Sequence, residues 1–132
     1  MSFLIDTDII IYSLKGNERV QKNLIEKKNS SKAISVITYG ELIFGAKKSK
    51  SREKNLATVY RIGEIFPVVE LTKGIVETFG EVKAVLQKKG NIVDDFDLLI
   101  GSTALYLNYT LVTNNEKHFS MIPDLRIENW SK

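Results

Sequence analysis

The feature that most constrains the fold is a regular alternation of short apolar runs with longer amphipathic segments. Five runs are rich in apolar and β-branched residues, as buried strands are, and they span residues 3–5, 33–37, 68–71, 110–113 and 126–130. Helices are expected between them, at 9–14 (helical or irregular), 17–28, 39–48, 52–65, 72–89 and 94–107. Strands that alternate with helices form a mainly parallel sheet with helices packed on it. The sequence therefore predicts a three-layer α/β/α sandwich with a mainly parallel central sheet, folded as a single domain over residues 1–132.

Three acidic residues fall where such a sheet places its ligands. Asp6 closes the first strand, and Asp97 lies one turn into the helix before the fourth strand. Thr38 is the expected cap of the helix after the second strand, which places Glu41 in the first turn of that helix. Ligands of open parallel sheets bind outside the C-terminal ends of the strands. We therefore expect these acids to share one edge of the sheet.

Each acid also has a structural explanation when taken alone. Asp6 can cap a helix, and Glu41 can stabilise a helix N-terminus through the helix dipole. Asp97 is harder to explain in this way, because Asp94 or Asp95 already offers a cap for the same helix. The functional interpretation therefore depends on the three acids acting together.

Together, the acids favour metal chemistry. Carboxylates that converge within about 5 Å repel one another, so one of them takes a proton or a cation lies between them. The chain has no cysteine and a single histidine, His118, and oxygen ligands without either suit Mg²⁺ or Mn²⁺ rather than zinc. Such an ion activates water and stabilises charge on a phosphodiester. The acids thus predict metal-dependent phosphodiester hydrolysis.

The basic residues indicate a polyanionic partner without requiring one. The net charge is +3, and part of it is concentrated in one short stretch: Lys47, Lys48, Lys50 and Arg52. This stretch is a candidate nucleic-acid contact, and the alternative is an ordinary solvated helix face.

Four segments carry a resemblance to a known family. They read FLIDTDI at 3–9, ISVITYGEL at 34–42, DLLIGSTA at 97–104 and LVTNN at 111–115. In order and spacing they resemble the successive motifs of PIN-domain ribonucleases, and most closely those of the VapC toxins of bacterial type II toxin–antitoxin modules. The C-terminal segment from His118-Phe119 to Trp130 resembles the same group.

The resemblance assigns roles to individual positions. Asp6 and Asp97 match metal ligands, and Glu41 matches an acid that completes the site directly or through metal-bound water. The fourth position of the motif is an Asp in many members and falls here on Asn115, so the number of bound ions stays open. Its neighbour Glu116 is the acid that would supply the missing charge. Two further residues, Thr7 and Thr113, are expected to hydrogen-bond the carboxylates or the phosphate from outside the metal shell.

The resemblance also implies partners. Members of this family form homodimers and are held inactive by a cognate VapB-like antitoxin, whose C-terminal tail wraps the toxin and places a basic side chain in the acidic pocket. It implies a structured RNA substrate such as tRNA, and contact with DNA only through the antitoxin. The absence of cysteine, of a signal peptide and of a membrane-spanning apolar run leads us to expect the cytoplasm and no membrane partner.

Two alternatives remain open at this point. Asp6-Thr7-Asp8 after a first strand also resembles the paired aspartates of HAD-type phosphatases, in which Asp6 would be the covalent nucleophile. The later lysine and paired acids of that family find no convincing place here. The other alternative is a catalytically silent PIN-fold module that binds RNA without cleaving it.

Overall fold

The five strands form one sheet in the order β3-β2-β1-β4-β5, with every neighbouring pair parallel. A computed structural model describes all 132 residues. The strands are β1 (Ser2–Ile5), β2 (Ser31–Ser35), β3 (Val68–Val69), β4 (Thr110–Val112) and β5 (Ile127–Glu128). The helices are α1 (Thr7–Leu14), α2 (Glu18–Glu26), α3 (Val36–Lys48), α4 (Arg52–Ile65), α5 (Lys73–Lys88), α6 (Asp95–Leu107) and α7 (Glu116–Phe119).

The central strand shows how two apolar layers form on this sheet. Phe3 and Ile5 of β1 belong to one buried cluster, and Leu4 between them belongs to another. Successive side chains of a strand point to opposite faces, so a strand that is apolar at every position is buried on both sides. None of the three side chains is more than 1% exposed. The predicted α/β/α sandwich is therefore confirmed, with a sheet that is entirely parallel.

The expected start of the third helix was wrong by three residues. We expected the second strand to reach Ile37 and Thr38 to cap the helix. Instead Ser35 is the cap, because its hydroxyl oxygen accepts a hydrogen bond from the Ile37 N–H at 3.0 Å. Val36 and Ile37 are residues that favour strands, but β-propensity depends strongly on context, and the Ser35 cap overrides it here. As a result Glu41 lies in the second turn of α3 rather than the first.

The other differences from the predicted elements are three shorter strands and one additional helix. The strands β3, β4 and β5 are shorter than expected, at two, three and two residues. The short helix α7 was not predicted, because four residues carry too little periodicity to reveal a helix. No helix of the chain is long and apolar enough to cross a membrane.

The C-terminal segment is anchored against the first strand. Trp130 is 2% exposed and packs edge-on against Phe3 with ring centroids 5.1 Å apart. The neighbouring Asn129 amide donates to Asn114 Oδ1 at 3.0 Å. Asn114 belongs to the loop that follows β4, so this anchor fixes a loop at the C-terminal edge of the sheet.

Candidate active site

The candidate active site lies where the two central strands end. Asp6 directly follows β1, and its backbone N–H donates to the Val112 carbonyl of β4 at 2.9 Å. Asp6 also caps α1, where its Oδ1 accepts the Thr7 N–H at 2.8 Å. The structural and functional explanations of this residue are therefore compatible, since one carboxylate oxygen serves the cap.

Asp6 is the most buried acid of the site. It is 6% exposed, and the buried Thr113 hydroxyl donates to its Oδ2 at 2.7 Å. Burial and, next, the charge of Asp8 raise the pKa of Asp6 to about 7, against the hydrogen bonds from Thr113 and Thr7, which lower it. The site thus holds a carboxyl group whose ionisation at neutral pH depends on a nearby positive charge.

Glu41 is joined to the same corner through Thr7. The Thr7 hydroxyl donates to Glu41 Oε1 at 2.7 Å and lies 3.0 Å from the hydroxyl of Thr38. The charge of Glu41 is one of those that raise the pKa of Asp6. The hydroxyl groups of Thr7 and Thr113 therefore each donate a hydrogen bond to one acid of this corner.

Asp97 approaches the cluster from α6. Burial raises the pKa of Asp97 to about 6, and the charge of Asp6 is the next largest cause, followed by Asp94 and Glu41. His118 acts in the opposite direction, which places this histidine near Asp97. The structure therefore brings Asp6, Glu41 and Asp97 together from three elements that are far apart in sequence.

Asp8 is a fourth acid of this cluster, which the sequence interpretation did not select. Its Oδ2 accepts the Asn114 backbone N–H at 3.1 Å, and its carboxyl group lies beside that of Asp6. Burial raises the pKa of Asp8, and the charge of Asp97 contributes. The signal was present in the sequence, because Asp6-Thr7-Asp8 places two acids in one helix start.

The fourth motif position and its acidic neighbour have different surroundings. The Asn115 N–H donates to Thr113 Oγ1 at 3.0 Å, and its side-chain amide lies 3.0 Å from His118 Nδ1. The Thr113 hydroxyl group thus links the Asn115 N–H to the Asp6 carboxylate.

Glu116, by contrast, is tied to the C-terminal segment. Its Oε2 accepts from Asn129 at 2.8 Å and from the Lys132 ammonium at 3.0 Å. These two bonds lower the pKa of Glu116, and its charge is not among those that raise the pKa of Asp6 or Asp97. The expectation that Glu116 supplies the charge missing at Asn115 therefore finds no support in the structure.

No side chain neutralises the acidic cluster. The three ion pairs of the chain are Lys22–Glu26, Lys83–Asp95 and Lys132–Glu116, and none includes an acid of the cluster. As they stand, no three His, Cys, Asp or Glu side chains lie close enough to hold one ion between them. Mg²⁺ does not require this, because it is usually bound through one or two carboxylates and keeps several waters.

The chemistry of the donors fits such an ion. The cluster offers only oxygen atoms, and one of them, Asp8 Oδ1, is buried without a hydrogen-bond partner. A buried, unpaired carboxylate oxygen is unfavourable unless a donor or a cation satisfies it. A hard divalent cation surrounded by water molecules would provide what the polypeptide does not.

Only one residue of the basic stretch lines the cavity next to the acidic cluster. All four of its members, Lys47, Lys48, Lys50 and Arg52, are exposed, and none pairs with an acid. Lys48 lines a cavity of about 730 Å³ that also contains Thr7 and Glu41. The other three basic residues do not line it.

The raised pKa values predict how stability depends on pH. A carboxyl group whose pKa is raised on folding contributes stability at low pH and loses it as pH rises through the folded value, here from the ordinary 3.8 to about 7 for Asp6. We expect Mg²⁺ to raise the melting temperature of the metal-free protein little near pH 5 and by the equivalent of about 2 kcal/mol near pH 8. Differential scanning calorimetry with Mg²⁺ or EDTA measures this difference. An equal effect of Mg²⁺ at both pH values would contradict it.

Comparisons with known proteins agree with this geometry. The model of the PIN domain matches residues 3–125. Ribonuclease VapC2 of Rickettsia felis is 37% identical, over all of both chains. The tRNA(fMet)-specific endonuclease VapC of Salmonella typhimurium is 34% identical over 98% of each. Among solved structures, the crystal structure of Rickettsia felis VapBC2 bound to a DNA fragment from their promoter contains a chain with a TM-score of 0.92 and 36% identity, covering 98% of this chain and 99% of that one.

Proposed function

The chain belongs to the VapC group of PIN-domain proteins, and we propose that it is a Mg²⁺-dependent endoribonuclease toxin of a VapBC-type toxin–antitoxin system. The observation that carries this proposal is the gathering of Asp6, Glu41 and Asp97 at one sheet edge without a Lys or Arg partner. Relatives that are named ribonucleases and align over their full length support the reaction class. The proposal assigns the activity to residues 1–132 as a single PIN domain.

In this proposal Asp6 and Asp97 hold the ion, and Glu41 completes its shell directly or through a water. When bound, Mg²⁺ (or Mn²⁺) activates a water and stabilises charge on the phosphodiester. Thr113 and the Thr7 N–H hold the two oxygens of Asp6 in place, and the Thr7 hydroxyl holds Glu41. Asn115 is assigned the orientation of water or substrate, since a neutral amide is a poorer metal ligand than a carboxylate.

The proposed substrate is structured RNA, with tRNA as the first candidate. The name of the Salmonella relative motivates this choice, because that protein is a tRNA(fMet)-specific endonuclease. A protein that cleaves such RNA acts where the RNA is, so the cytoplasm is the proposed compartment.

The proposed protein partner is a VapB-like antitoxin. Several solved relatives are VapBC complexes, one of them bound to promoter DNA, so contact with DNA would be indirect. An unneutralised carboxylate cluster suits a basic side chain from such a partner, because an Arg fork pairs with carboxylates. A homodimer of this chain is part of the same proposal. Size-exclusion chromatography with light scattering, with and without the product of the neighbouring reading frame, tests both assemblies.

Incubation with a tRNA pool tests the function against its alternatives. We expect endonucleolytic cleavage with Mg²⁺ and none with EDTA. A silent RNA-binding module would shift the RNA in a gel without cutting it at any Mg²⁺ concentration. A phosphatase would instead hydrolyse p-nitrophenyl phosphate and form an adduct on Asp6. Either of those results would overturn the proposal.

The position of Lys48 predicts a contact with the RNA backbone. The Lys48→Ala change should weaken RNA binding severalfold and reduce the slope of log affinity against log salt by about one, as expected for one phosphate contact. Fluorescence anisotropy with a labelled tRNA in EDTA measures binding without cleavage. Lys22→Ala is the matched control, since it removes one exposed charge that pairs only with Glu26. Equal salt slopes for the wild type and Lys48→Ala would show that Lys48 does not contact a phosphate of the RNA.

A further inference from the structure

Asp8 occupies an unusual position for an acid that has no catalytic role. It lies in the first turn of α1, two residues after Asp6, and its carboxyl group lies beside that of Asp6. Two carboxyl groups this close repel when both are ionised. A helix start can take an acid for its dipole alone, but the Asp6 side chain already caps this helix. The cap therefore does not require a second carboxylate pressed against the first.

The two oxygens of Asp8 have different surroundings. Oδ2 accepts the Asn114 backbone N–H at 3.1 Å, which ties α1 to the loop after β4. Oδ1 is shielded from solvent and has no hydrogen-bond partner. The only other buried side-chain atom without a partner is the hydroxyl oxygen of Ser102. Burying an unpaired neutral hydroxyl group costs much less free energy than burying an unpaired carboxylate oxygen. The unsatisfied atom is thus a strong acceptor next to other acids.

The polypeptide offers nothing that would satisfy this oxygen. No Lys or Arg pairs with Asp8, and the nearby charges that act on its carboxyl group include Asp97, which is negative. An anionic oxygen that is shielded from solvent and surrounded by other carboxylates attracts a cation most strongly. A proton shared with Asp6 and an ordered water are the alternative partners, and Mn²⁺ binding by an Asp8 variant distinguishes them from a cation.

We propose that Asp8 supplies its unpaired Oδ1 to the divalent cation of the acidic cluster, while its Oδ2 holds the Asn114–Asn115 loop in place. The inference rests on the proposed function, since it takes the cluster as a cation site. It extends that function by giving the site a fourth carboxylate on α1, next to Asp6, at a point where Glu116 does not reach. The role is one of ion binding and loop positioning.

The Asp8→Asn change tests this inference with Mn²⁺ as the probe. Its carbonyl oxygen can still accept the Asn114 N–H, and its amide can donate to Asp6, so the variant keeps the fold and removes only the negative charge. We expect Mn²⁺ binding, measured by isothermal titration calorimetry without RNA, to weaken about tenfold. We also expect the melting temperature of the metal-free variant to rise above that of the wild type, because the repulsion with Asp6 disappears.

Asp95→Asn is the matched control. It removes the same charge from the start of a neighbouring helix, where Asp95 pairs with Lys83 and is exposed. We expect wild-type Mn²⁺ affinity in this variant. If Asp95→Asn weakened Mn²⁺ binding as much as Asp8→Asn, the effect would reflect net charge, and the inference would be overturned.

The outcomes separate the inference from the proposed function. If the wild type binds Mn²⁺ and cleaves RNA but Asp8→Asn binds Mn²⁺ equally well, Asp8 holds a water or the loop alone, and the inference fails by itself. A lower melting temperature of metal-free Asp8→Asn with unchanged Mn²⁺ affinity would likewise show a structural role only. If the wild type neither binds Mn²⁺ nor cleaves RNA, the proposed function fails and the inference fails with it.

Discussion

Replacing Asp6 with asparagine is expected to reduce RNA cleavage at least about a thousandfold, which corresponds to roughly 4 kcal/mol of transition-state stabilisation. Asp6 is the acid that both central strands and α1 hold in place, through Thr113 and the Thr7 N–H. The carbonyl oxygen of asparagine can keep one of these contacts, and its amide can donate to the Thr113 hydroxyl oxygen in place of the other, but asparagine provides no charge for an ion. The rate of cleavage of an end-labelled tRNA under single-turnover conditions measures the loss.

The same change should stabilise the metal-free protein, which distinguishes it from a variant that fails to fold. Burial raises the pKa of Asp6 to about 7, so a neutral amide there avoids the unfavourable ionisation at pH 8. Thermal unfolding in EDTA at about pH 8 should therefore show a higher melting temperature for Asp6→Asn than for the wild type. Asp124→Asn removes an exposed charge at a residue of positive φ, a conformation that asparagine tolerates, and should change neither property. Cleavage by Asp6→Asn at the wild-type rate would rule out the proposed role of this acid.

The Asp97→Asn change is expected to reduce cleavage at least about a hundredfold, or about 3 kcal/mol. Asp97 reaches the cluster from α6, where Asp94 is the cap, so its removal should not affect the helix start. Because Asp97 is less buried than Asp6, we expect water to replace part of its contact with the ion and higher Mg²⁺ to restore some activity. Cleavage rates over a Mg²⁺ titration measure this, with Asp95→Asn as the control on the same helix. The prediction is contradicted if Asp97→Asn and Asp95→Asn show the same Mg²⁺ dependence.

The architecture and three of the acids could be predicted because each has a local signal. Buried strands are short apolar runs, and in an all-parallel sheet their ends fall on one edge, so Asp6 at the end of β1 marks the site. Asp97 could be selected because Asp94 made it unnecessary as a cap, and Asp94 is the observed cap. The two threonines followed from their places next to Asp6 and at the end of β4.

The features that the sequence did not reveal depend on contacts between segments that are distant in sequence. The partner of Glu116 is Asn129 at the far end of the chain, and nothing near Glu116 shows that it is already paired. Two hydroxyl residues three positions apart, Ser35 and Thr38, could each cap α3; Ser35 is the cap, and the Thr38 hydroxyl is instead hydrogen-bonded to that of Thr7, a residue 31 positions away. The sequence shows Asp8 beside Asp6 at one helix start, but only the folded structure reveals that an oxygen of Asp8 is left without a partner.

The proposed function depends above all on a divalent cation held by the acidic cluster at the end of β1. The most direct test is a crystal of the chain soaked in Mn²⁺, with anomalous diffraction measured to locate the ion. We expect an anomalous peak bounded by the carboxylates of Asp6 and Asp97. A well-occupied peak elsewhere on the protein, with none between these two residues, would contradict it.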